Sequence, residues 1–440
     1  MAETLEIVHA LYCDFFERGV RYFYPEATLA IIGRTAEPDP SLISHSLTDG
    51  SLDLEWMGMR YHIEQRERSF TEDQLRLLGA IGNVLSARFR SIFFAASVPS
   101  TPSLFAGLQE DRFVSAFLDH LPYLGNNVPA KRDVIADAIQ VLRESSLITY
   151  ENRRIATGVI LIGAAEDPYH EIPFLPPGAL PYTSSLVTIK SFHRLCDGLH
   201  TVFLVHPDGL MVDLVDVESF SKAFCTAKLP APSAARYRAH SLATLYGGHI
   251  CLVLTPNGEI KVFAGGVQVF HFLEGRWHLS DITEKYHEFH QAAGDPLLAE
   301  RLFTAALNLA ENRRGGLFVL LDRAESARDL VAPADLLACP APENSTKARV
   351  HYLLHRKRVE DLELNVLQSI ARVDGGIVLD REGRLLAFGA ILRHSGEPLA
   401  AQEGGRTTAA VHASRFGLAL KISEDGMVSF YKSGAKVWEI

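Results

Sequence analysis

The C-terminal residues 406–440 read RTTAAVHASRFGLALKISEDGMVSFYKSGAKVWEI, and they decide the fold. The apolar runs Phe416–Ile422 and Val428–Tyr431 are joined by Asp425-Gly426, a dipeptide typical of the tight turn of a β-hairpin. The polar residues that begin at Arg406 predict a short helix, and Ser433-Gly434 predicts a second turn. We therefore expect this stretch to fold as helix, strand, turn and strand.

An earlier part of the chain has the same order 168 residues upstream, where Arg238 corresponds to Arg406 and Asn257-Gly258 to Asp425-Gly426. The tetrapeptide Glu-Asn-Arg-Arg also occurs twice, at 151–154 and 311–314, each time before an apolar run. A match of four residues alone decides nothing in a chain of this length. The colinear order of all these elements predicts a tandem repeat.

Composition limits the classes of function. The net charge of −10 argues against a protein that binds DNA by neutralising its phosphates. No apolar run approaches the length of a transmembrane helix, and no basic signal-peptide segment follows Met1. The five cysteines are scattered without metal-binding spacing, as expected of buried thiols in a reducing compartment. We expect a cytoplasmic protein without a DNA or membrane partner.

The chain divides into four predicted segments. Residues 1–95 form a small α+β domain that ends in a helix with a Thr71/Gln74 capping box, and this Phe-Thr-Glu-Asp-Gln-Leu helix resembles the end of GAF-type sensor domains. Its other apolar runs, Thr28–Ile32 and Leu54–His62, predict strands. Residues 96–110 are rich in Pro and Ser and predict a linker. Residues 111–290 hold the first copy of the repeat, and 291–440 the second.

Two polar motifs of the second copy suggest chemistry. Asp374-Gly375-Gly376 precedes an apolar strand, so a carboxylate for a hydroxyl group or a divalent cation stands beside glycines that a ligand can approach. The alternative is an ordinary helix end and turn. Gly404 and Gly405 precede Arg406, Thr407 and Thr408, which is a pattern that suits a phosphate at a helix N-terminus. The alternative there is an ordinary helix cap.

The whole order of elements and motifs resembles the diadenylate cyclase nucleotide-binding domain, a family that includes the N-terminal domain of the DNA-integrity-scanning protein (DisA). The resemblance covers about 295–440, and about 130–270 in degenerate form, and it is strongest to the degenerate sensor branch called DACNV. It implies an α/β (α+β) fold with two twisted mixed sheets flanked by helices. Active members join two ATP molecules into cyclic di-AMP between two facing domains.

Active members carry Asp-Gly-Ala, which serves a divalent metal and the attacking hydroxyl, and Arg-His-Arg, which grips phosphates. Here Asp374-Gly375 matches the first motif, with Gly376 in place of Ala. Arg406 matches the first Arg of the second motif, but Thr407 and Thr408 replace the His and the other Arg. A Ser-Glu pair that commonly follows is Ser414-Arg415 here.

The first copy differs from the motifs of active members in another way. Arg238-Ala239-His240 stands at the triplet position and is followed by Ser241. The Asp-Gly-Ala position is held either by Asp197-Gly198 or by His200-Thr201-Val202, and the sequence leaves both alignments open. The resemblance thus implies nucleotide-binding residues in both copies: Asp374, Gly375, Gly376, Gly405, Arg406, Thr407, Thr408, Arg238, His240 and Ser241.

These departures favour recognition over turnover, because phosphoryl transfer needs the fixed positive charges that the two Thr residues lack. We expect a bacterial sensor that binds a nucleotide or cyclic dinucleotide, with Mg²⁺ or Mn²⁺ at Asp374 as the implied metal. A homo-oligomer or an effector protein is the expected macromolecular partner. The alternatives are a divergent dinucleotide cyclase that uses Asp374, and a scaffold that binds no small molecule.

Overall fold

A computed structural model describes residues 2–35, 43–48, 50–65, 69–93, 102–119, 132–165, 167, 170–171, 173–337, 346–355, 357–393 and 404–440. The chain forms two compact units. Unit 1 comprises Met1–Leu229 and Ala239–Asp281, and unit 2 comprises Pro230–Arg238 and Ile282–Ile440. The four segments drawn from the sequence remain a prediction, as does the GAF-like character of residues 1–95.

The N-terminal part of unit 1 is a four-stranded antiparallel sheet with three helices, and the sheet order is β1-β4-β3-β2. Phe16 packs its ring against Trp56 and Tyr61, with centroids 5.0 and 5.2 Å away. The elements are α1 (Ala2–Phe23), β1 (Thr28–Arg34), β2 (Ile43–Thr48), β3 (Ser51–Trp56), β4 (Met59–Glu64), α2 (Glu72–Phe93) and α3 (Gln109–Leu118).

Two predictions for this part have different outcomes. The capping box at the start of α2 is confirmed, because the Thr71 amide donates to Gln74 Oε1 at 3.1 Å and the Gln74 amide donates to Thr71 Oγ1 at 3.2 Å. The strand structure expected over Leu54–His62 is confirmed, but the run belongs to two strands, β3 and β4. It is a hairpin that turns at Met57-Gly58, where both residues have positive φ, 54° and 76°.

The rest of unit 1 contains a seven-stranded mixed sheet in the order β13-β12-β11-β10-β7-β8-β9, in which β7 and β8 pair in parallel. Its elements are α4 (Val134–Ser146), β5 (Thr149–Tyr150), β6 (Arg153–Arg154), β7 (Thr157–Leu161), α5 (Phe192–Leu195), β8 (Thr201–Val205), β9 (Met211–Asp216), α6 (Val217–Ser221), α7 (Arg238–Ala243), β10 (Ile250–Leu254), β11 (Ile260–Ala264), β12 (Val267–Leu273) and β13 (Arg276–Leu279).

Unit 2 contains a six-stranded mixed sheet in the order β16-β15-β14-β17-β18-β19, in which β14 and β15 pair in parallel. Its elements are α8 (Ile282–Ala293), α9 (Pro296–Glu311), β14 (Gly316–Leu321), α10 (Ala327–Leu330), α11 (Thr346–Tyr352), α12 (Leu364–Ala371), β15 (Gly376–Asp380), β16 (Leu385–Ala390), α13 (Gly405–Ala413), β17 (Gly417–Ile422), β18 (Val428–Lys432) and β19 (Ala435–Glu439).

The two mixed sheets share one topology. Strands β9-β8-β7-β10-β11-β12 follow the same order as β16-β15-β14-β17-β18-β19, and β13 is an additional edge strand in unit 1. Each sheet has one parallel pair at the equivalent place, and its other pairs are antiparallel. The predicted fold class, mixed sheets flanked by helices, is confirmed. None of the described helices is long and apolar enough to cross a membrane.

The repeated tetrapeptide adopts two different conformations. In unit 1, Glu151 and Asn152 have φ of 50° and 60° and form the turn between β5 and β6. In unit 2 the second copy, Glu311–Arg314, ends helix α9 instead, and there Arg313 takes the positive φ of 51°. Identity of sequence at this point therefore does not mean identity of local structure.

The cysteines are buried with one exception among those that the structure describes. Cys13, Cys196 and Cys251 lie in the interior, and burial raises the pKa of each thiol. Cys225 is exposed, so the expectation that all five are buried is wrong for this residue. Cys339 lies outside the described residues.

A buried ion pair ties α3 to α4. Arg112 Nη1 donates to Asp133 Oδ2 at 2.8 Å, and the two side chains are only 4% and 5% exposed. Asp133 Oδ1 also accepts from Ser115 Oγ at 2.6 Å and from the Ala136 amide at 3.0 Å, so it caps α4 as well. One carboxylate therefore satisfies a buried guanidinium, a hydroxyl and a helix end.

We predict that Asp133→Ala lowers the free energy of unfolding by about 3–5 kcal/mol, because it leaves the Arg112 charge buried without its partner. The matched control is Asp216→Ala. Asp216 caps α6 by accepting from the Ser219 amide at 2.7 Å on an exposed surface, and its loss is expected to cost much less than the loss of Asp133, because no buried charge is left without a partner. Urea unfolding measures both, and equal losses would contradict this role for the ion pair.

Candidate functional site

The strand pairing of unit 2 determines which residues meet at each end of its sheet. Phe318 of β14 pairs in parallel with Ile377 of β15, and Gly316 of β14 lies opposite Ile422 of β17. The first residues of β14 and β15 and the last residues of β17 therefore lie at the same end. We name this the motif end, formed by residues 315–316, 374–376, 404–408 and 421–426.

The Asp-Gly-Gly motif leads into β15 at the motif end. Asp374 is exposed, and Gly376 is the buried first residue of the strand. Gly375 has φ of 116°, and a Cβ there would lie 2.6 Å from the backbone nitrogen and oxygen of Ala390. Only glycine fits such a position, so the backbone approach and not a ligand already explains Gly375. The exposed Asp374 carboxylate is the part of the motif that a ligand or cation can reach.

The second motif begins helix α13 at the motif end. Gly404 precedes the helix with φ of 90°, and Gly405 is its first residue. A Cβ on Gly405 would meet no atom within 4 Å, so the space beside this backbone is open. The amides of Thr407 and Thr408 already donate to the Gly404 carbonyl at 3.1 and 3.3 Å, so Gly405 and Arg406 supply the amides of this first turn that suit an anion.

Arg406 is folded against the backbone of the neighbouring strand. A Cβ on Gly315 would lie 2.0 Å from Arg406 Nη1, so the guanidinium rests where only glycine leaves room. The same Nη1 donates to Glu424 Oε1 at 2.9 Å, and the two side chains are 41% and 69% exposed. Glu424 belongs to the turn between β17 and β18. The cation of the motif therefore already has an anionic partner.

Lys421 adds a second cation that the sequence analysis missed. It lies on β17, and its Nζ donates to Thr407 Oγ1 at 3.1 Å. Thr408 Oγ1 lies 3.4 Å from the Gly404 carbonyl. The only signal in the sequence was a single charged residue in the apolar run Phe416–Ile422. Lys421 and Arg406 therefore lie at the same end of one sheet, together with the α13 N-terminus and Asp374.

Strand registers align the two copies. The hairpins β10–β11 and β17–β18 have matching ladders, which makes Leu254 equivalent to Ile422. On the other side of these strands, Leu254 faces Thr157 of β7 and Ile422 faces Gly316 of β14. Strands β7 and β14 are therefore equivalent residue by residue from Thr157 and Gly316.

The parallel partners complete the alignment. At equivalent positions, Phe203 of β8 pairs with β7 and Ile377 of β15 pairs with β14. Counting back three residues from each, His200 takes the place of Asp374. Of the two alignments that the sequence left open, the registers thus select His200-Thr201-Val202 over Asp197-Gly198.

Asp197 has a structural role in the loop before β8. Its Oδ1 accepts from the amides of Leu199, His200 and Thr201 at 2.9, 2.7 and 3.0 Å, and its Oδ2 lies 2.9 Å from His200 Nδ1. Burial acts to raise the pKa of Asp197, but the hydrogen bonds from Thr201 and His200 outweigh it and hold the pKa well below its usual range. This carboxylate is already satisfied by its own loop.

The triplet position of the first copy is mostly interior. His240 and Ser241 are fully buried, and His240 Nε2 donates to the Gly198 carbonyl at 2.9 Å. Arg238 is exposed at the start of α7. His240 therefore stabilises the loop before β8. The site that we propose below includes neither His240 nor Ser241.

Asp167, His170 and His249 of unit 1 form a cluster that the sequence did not reveal, with ligand atoms within 4.8 Å of one another. His249 Nδ1 accepts from the Gly163 amide at 3.0 Å, which leaves the hydrogen of a neutral ring on Nε2, 2.8 Å from Asp167 Oδ2. Burial lowers the pKa of His249, in keeping with a neutral ring. A nitrogen that carries hydrogen cannot bind a metal, so we interpret the cluster as a hydrogen-bonded network.

No protein-family model matches the chain, and no curated protein matches it. Several solved structures are similar to part of it, and they include the following two. A hypothetical membrane-spanning protein from Bacillus cereus is 21% identical, with a TM-score of 0.27 over 36% of this chain and 70% of that chain. A double mutant of DacA from Staphylococcus aureus is 18% identical, with a TM-score of 0.24 over 32% of this chain and 83% of that chain.

We predict opposite effects of two glycine substitutions at the motif end. Gly375→Ala is expected to lower the melting temperature clearly, because its φ is unfavourable and its Cβ would clash with the backbone of Ala390. Gly405→Ala is expected to preserve or slightly raise it, since the space is open and alanine favours the helix. Thermal unfolding followed by circular dichroism checks both. A stable Gly375→Ala variant would show that the backbone before β15 is not fixed in this way.

Proposed function

We propose that the protein is a nucleotide-binding sensor that holds the phosphate of a nucleotide or cyclic dinucleotide at the motif end of unit 2. One observation carries the proposal: the strand registers and α13 bring both predicted motifs to the same end of one sheet. Arg406 and Lys421 offer positive charge there, Thr407 and Thr408 offer hydroxyl groups, and the first turn of α13 offers amides.

The same residues favour binding over turnover. Active members of the diadenylate cyclase family, which this chain resembles, carry an Arg-His-Arg triplet. Here Thr407 and Thr408 replace the last two residues of that triplet. Lys421 restores a positive charge, but an ammonium group lacks the planar two-point geometry of a guanidinium. Loss of one charge-stabilising contact costs about 3 kcal/mol or more of transition-state stabilisation, whereas a bound phosphate tolerates hydroxyl donors.

We propose that a divalent cation binds at the motif end only when it accompanies the ligand. Asp374 is exposed beside the start of β15, and its carboxylate would hold Mg²⁺ or Mn²⁺ that accompanies a nucleotide. In unit 1, His200 stands at the equivalent position, so that copy would not hold a metal in this way. We propose that unit 1 serves a structural or signalling role, with a second copy of the chain or an effector protein as its partner.

We predict that Arg406→Ala weakens binding of ATP or cyclic di-AMP at least about tenfold, because charge-assisted hydrogen bonds contribute about 1.5–3 kcal/mol each. Isothermal titration calorimetry measures the affinity. Arg384→Ala is the matched control, since Arg384 is 53% exposed and pairs with Asp380 at the other end of β15. Equal affinities of both variants would refute a site at Arg406, and absence of binding in the unaltered protein would favour a scaffold.

We also predict that the protein forms no cyclic product from ATP with Mg²⁺ or Mn²⁺. The alternative of a divergent cyclase is favoured by one observation, the exposure of Asp374 beside a rigid Gly375 turn. Mass spectrometry of the reaction mixture decides between the two. A cyclic dinucleotide that forms with the unaltered protein and disappears with Asp374→Asn would establish the cyclase and overturn the sensor.

A further inference from the structure

The turn between β17 and β18 holds a carboxylate at the motif end. The Gly426 amide donates to the Ser423 carbonyl at 3.2 Å, and the Met427 amide donates to Ser423 Oγ at 3.1 Å. Gly426 has φ of 89°, as a tight turn requires. Glu424 therefore projects from a turn whose backbone is fixed, and its pairing with Arg406 at 2.9 Å joins this turn to the motif.

The fold itself does not require that carboxylate. The ladders of β10–β11 and β17–β18 match, so Pro256 takes the place of Glu424 in the first copy. The hairpin forms in both copies with equivalent registers. A side chain that the hairpin does not need, and that touches the cation of the motif, is a candidate for a role in ligand binding.

We propose that Glu424 controls the charge selectivity of the site. Its carboxylate shifts the preference of the site toward a phosphodiester, as in a cyclic dinucleotide, and away from the terminal phosphate of a nucleotide. This rests on the proposed function and names the ligand class more narrowly. Any phosphate that reaches Arg406 comes close to the Glu424 carboxylate, since one guanidinium would serve both.

Coulomb repulsion gives the direction of the effect. A terminal phosphate carries a charge of about −1.5 to −2 at pH 7, whereas a phosphodiester carries −1. The repulsion from one carboxylate grows in proportion to the charge of the ligand, so Glu424 penalises the terminal phosphate more. The Arg406–Glu424 pair is largely exposed, so solvent screens this repulsion and the expected effect on affinity is small. Other charges at this end are the same for both ligands and do not alter how Glu424 shifts their ratio.

The test compares, for each of two nucleosides, a pair of ligands that differ by one charge. Adenosine 5′-monophosphate and its methyl ester form one pair, and guanosine 5′-monophosphate and its methyl ester form the other. Each is titrated into the full chain at pH 8 by calorimetry. The unaltered chain gives the reference ratio of the two affinities. In Glu424→Gln we expect the ratio of affinities to shift about threefold toward the monophosphate, as one unit of charge near the surface would give. Glu424→Ala should give the same shift.

Glu382→Gln is the matched control, because Glu382 is 67% exposed and pairs with Arg384 at 3.1 Å at the other end of β15. It should leave the ratio unchanged. An equal gain for both ligands in Glu424→Gln, or no gain, would overturn the selectivity role while leaving the nucleotide site intact. Failure of the unaltered chain to bind these ligands, ATP and cyclic di-AMP, or binding that Arg406→Ala does not weaken, would instead refute the proposed function.

Discussion

The parallel pairing of β14 with β15, together with the antiparallel pairing of β14 with β17, is the constraint on which the rest of unit 2 depends. It places the starts of two strands and the end of a third at the same end of the sheet. Asp374 and Arg406 are 32 residues apart in sequence and lie at the same end of the sheet because of these registers. A shift of one residue in the β14–β17 ladder would turn Lys421 away from Thr407.

The first copy keeps the same constraint and uses its polar groups for other purposes. Its sheet has the same strand order, but Asp197 is satisfied by the amides of its own loop, and His240 is buried against Gly198. Each of these bonds stabilises the connection into β8. The two sheets thus share a topology, while the chemistry at their equivalent positions differs. This difference is why we assign the ligand to unit 2.

Local signals in the sequence predicted local structure well. The Asp425-Gly426 and Asn257-Gly258 turns and the Thr71/Gln74 capping box depend on neighbouring residues only, and the structure confirms them. The Met57-Gly58 turn was missed although it is also local, because no Asp-Gly or Asn-Gly dipeptide marks it within the apolar run.

The candidate site also contains residues that the sequence identified and residues that it did not. The motif residues of unit 2 could be found from their pattern, although their proximity could not. Lys421 and Glu424 were missed, since each acquires its role from a partner on α13 that lies 14 or 18 residues away and comes close only in the folded chain. The choice between Asp197-Gly198 and His200-Thr201-Val202 likewise needed the ladder registers. The sequence alone does not show how many residues separate the motif from the first paired residue of β8.

The central claim is that a nucleotide phosphate binds at the start of α13 and β15 in unit 2. Hydrogen–deuterium exchange of the full chain, with and without saturating cyclic di-AMP or ATP, tests it most directly. The account predicts slower exchange of the amides in 404–408 and 374–376 when ligand is present, with 238–241 unchanged. Protection confined to 197–203 and 238–241, with 404–408 unaffected, would contradict it.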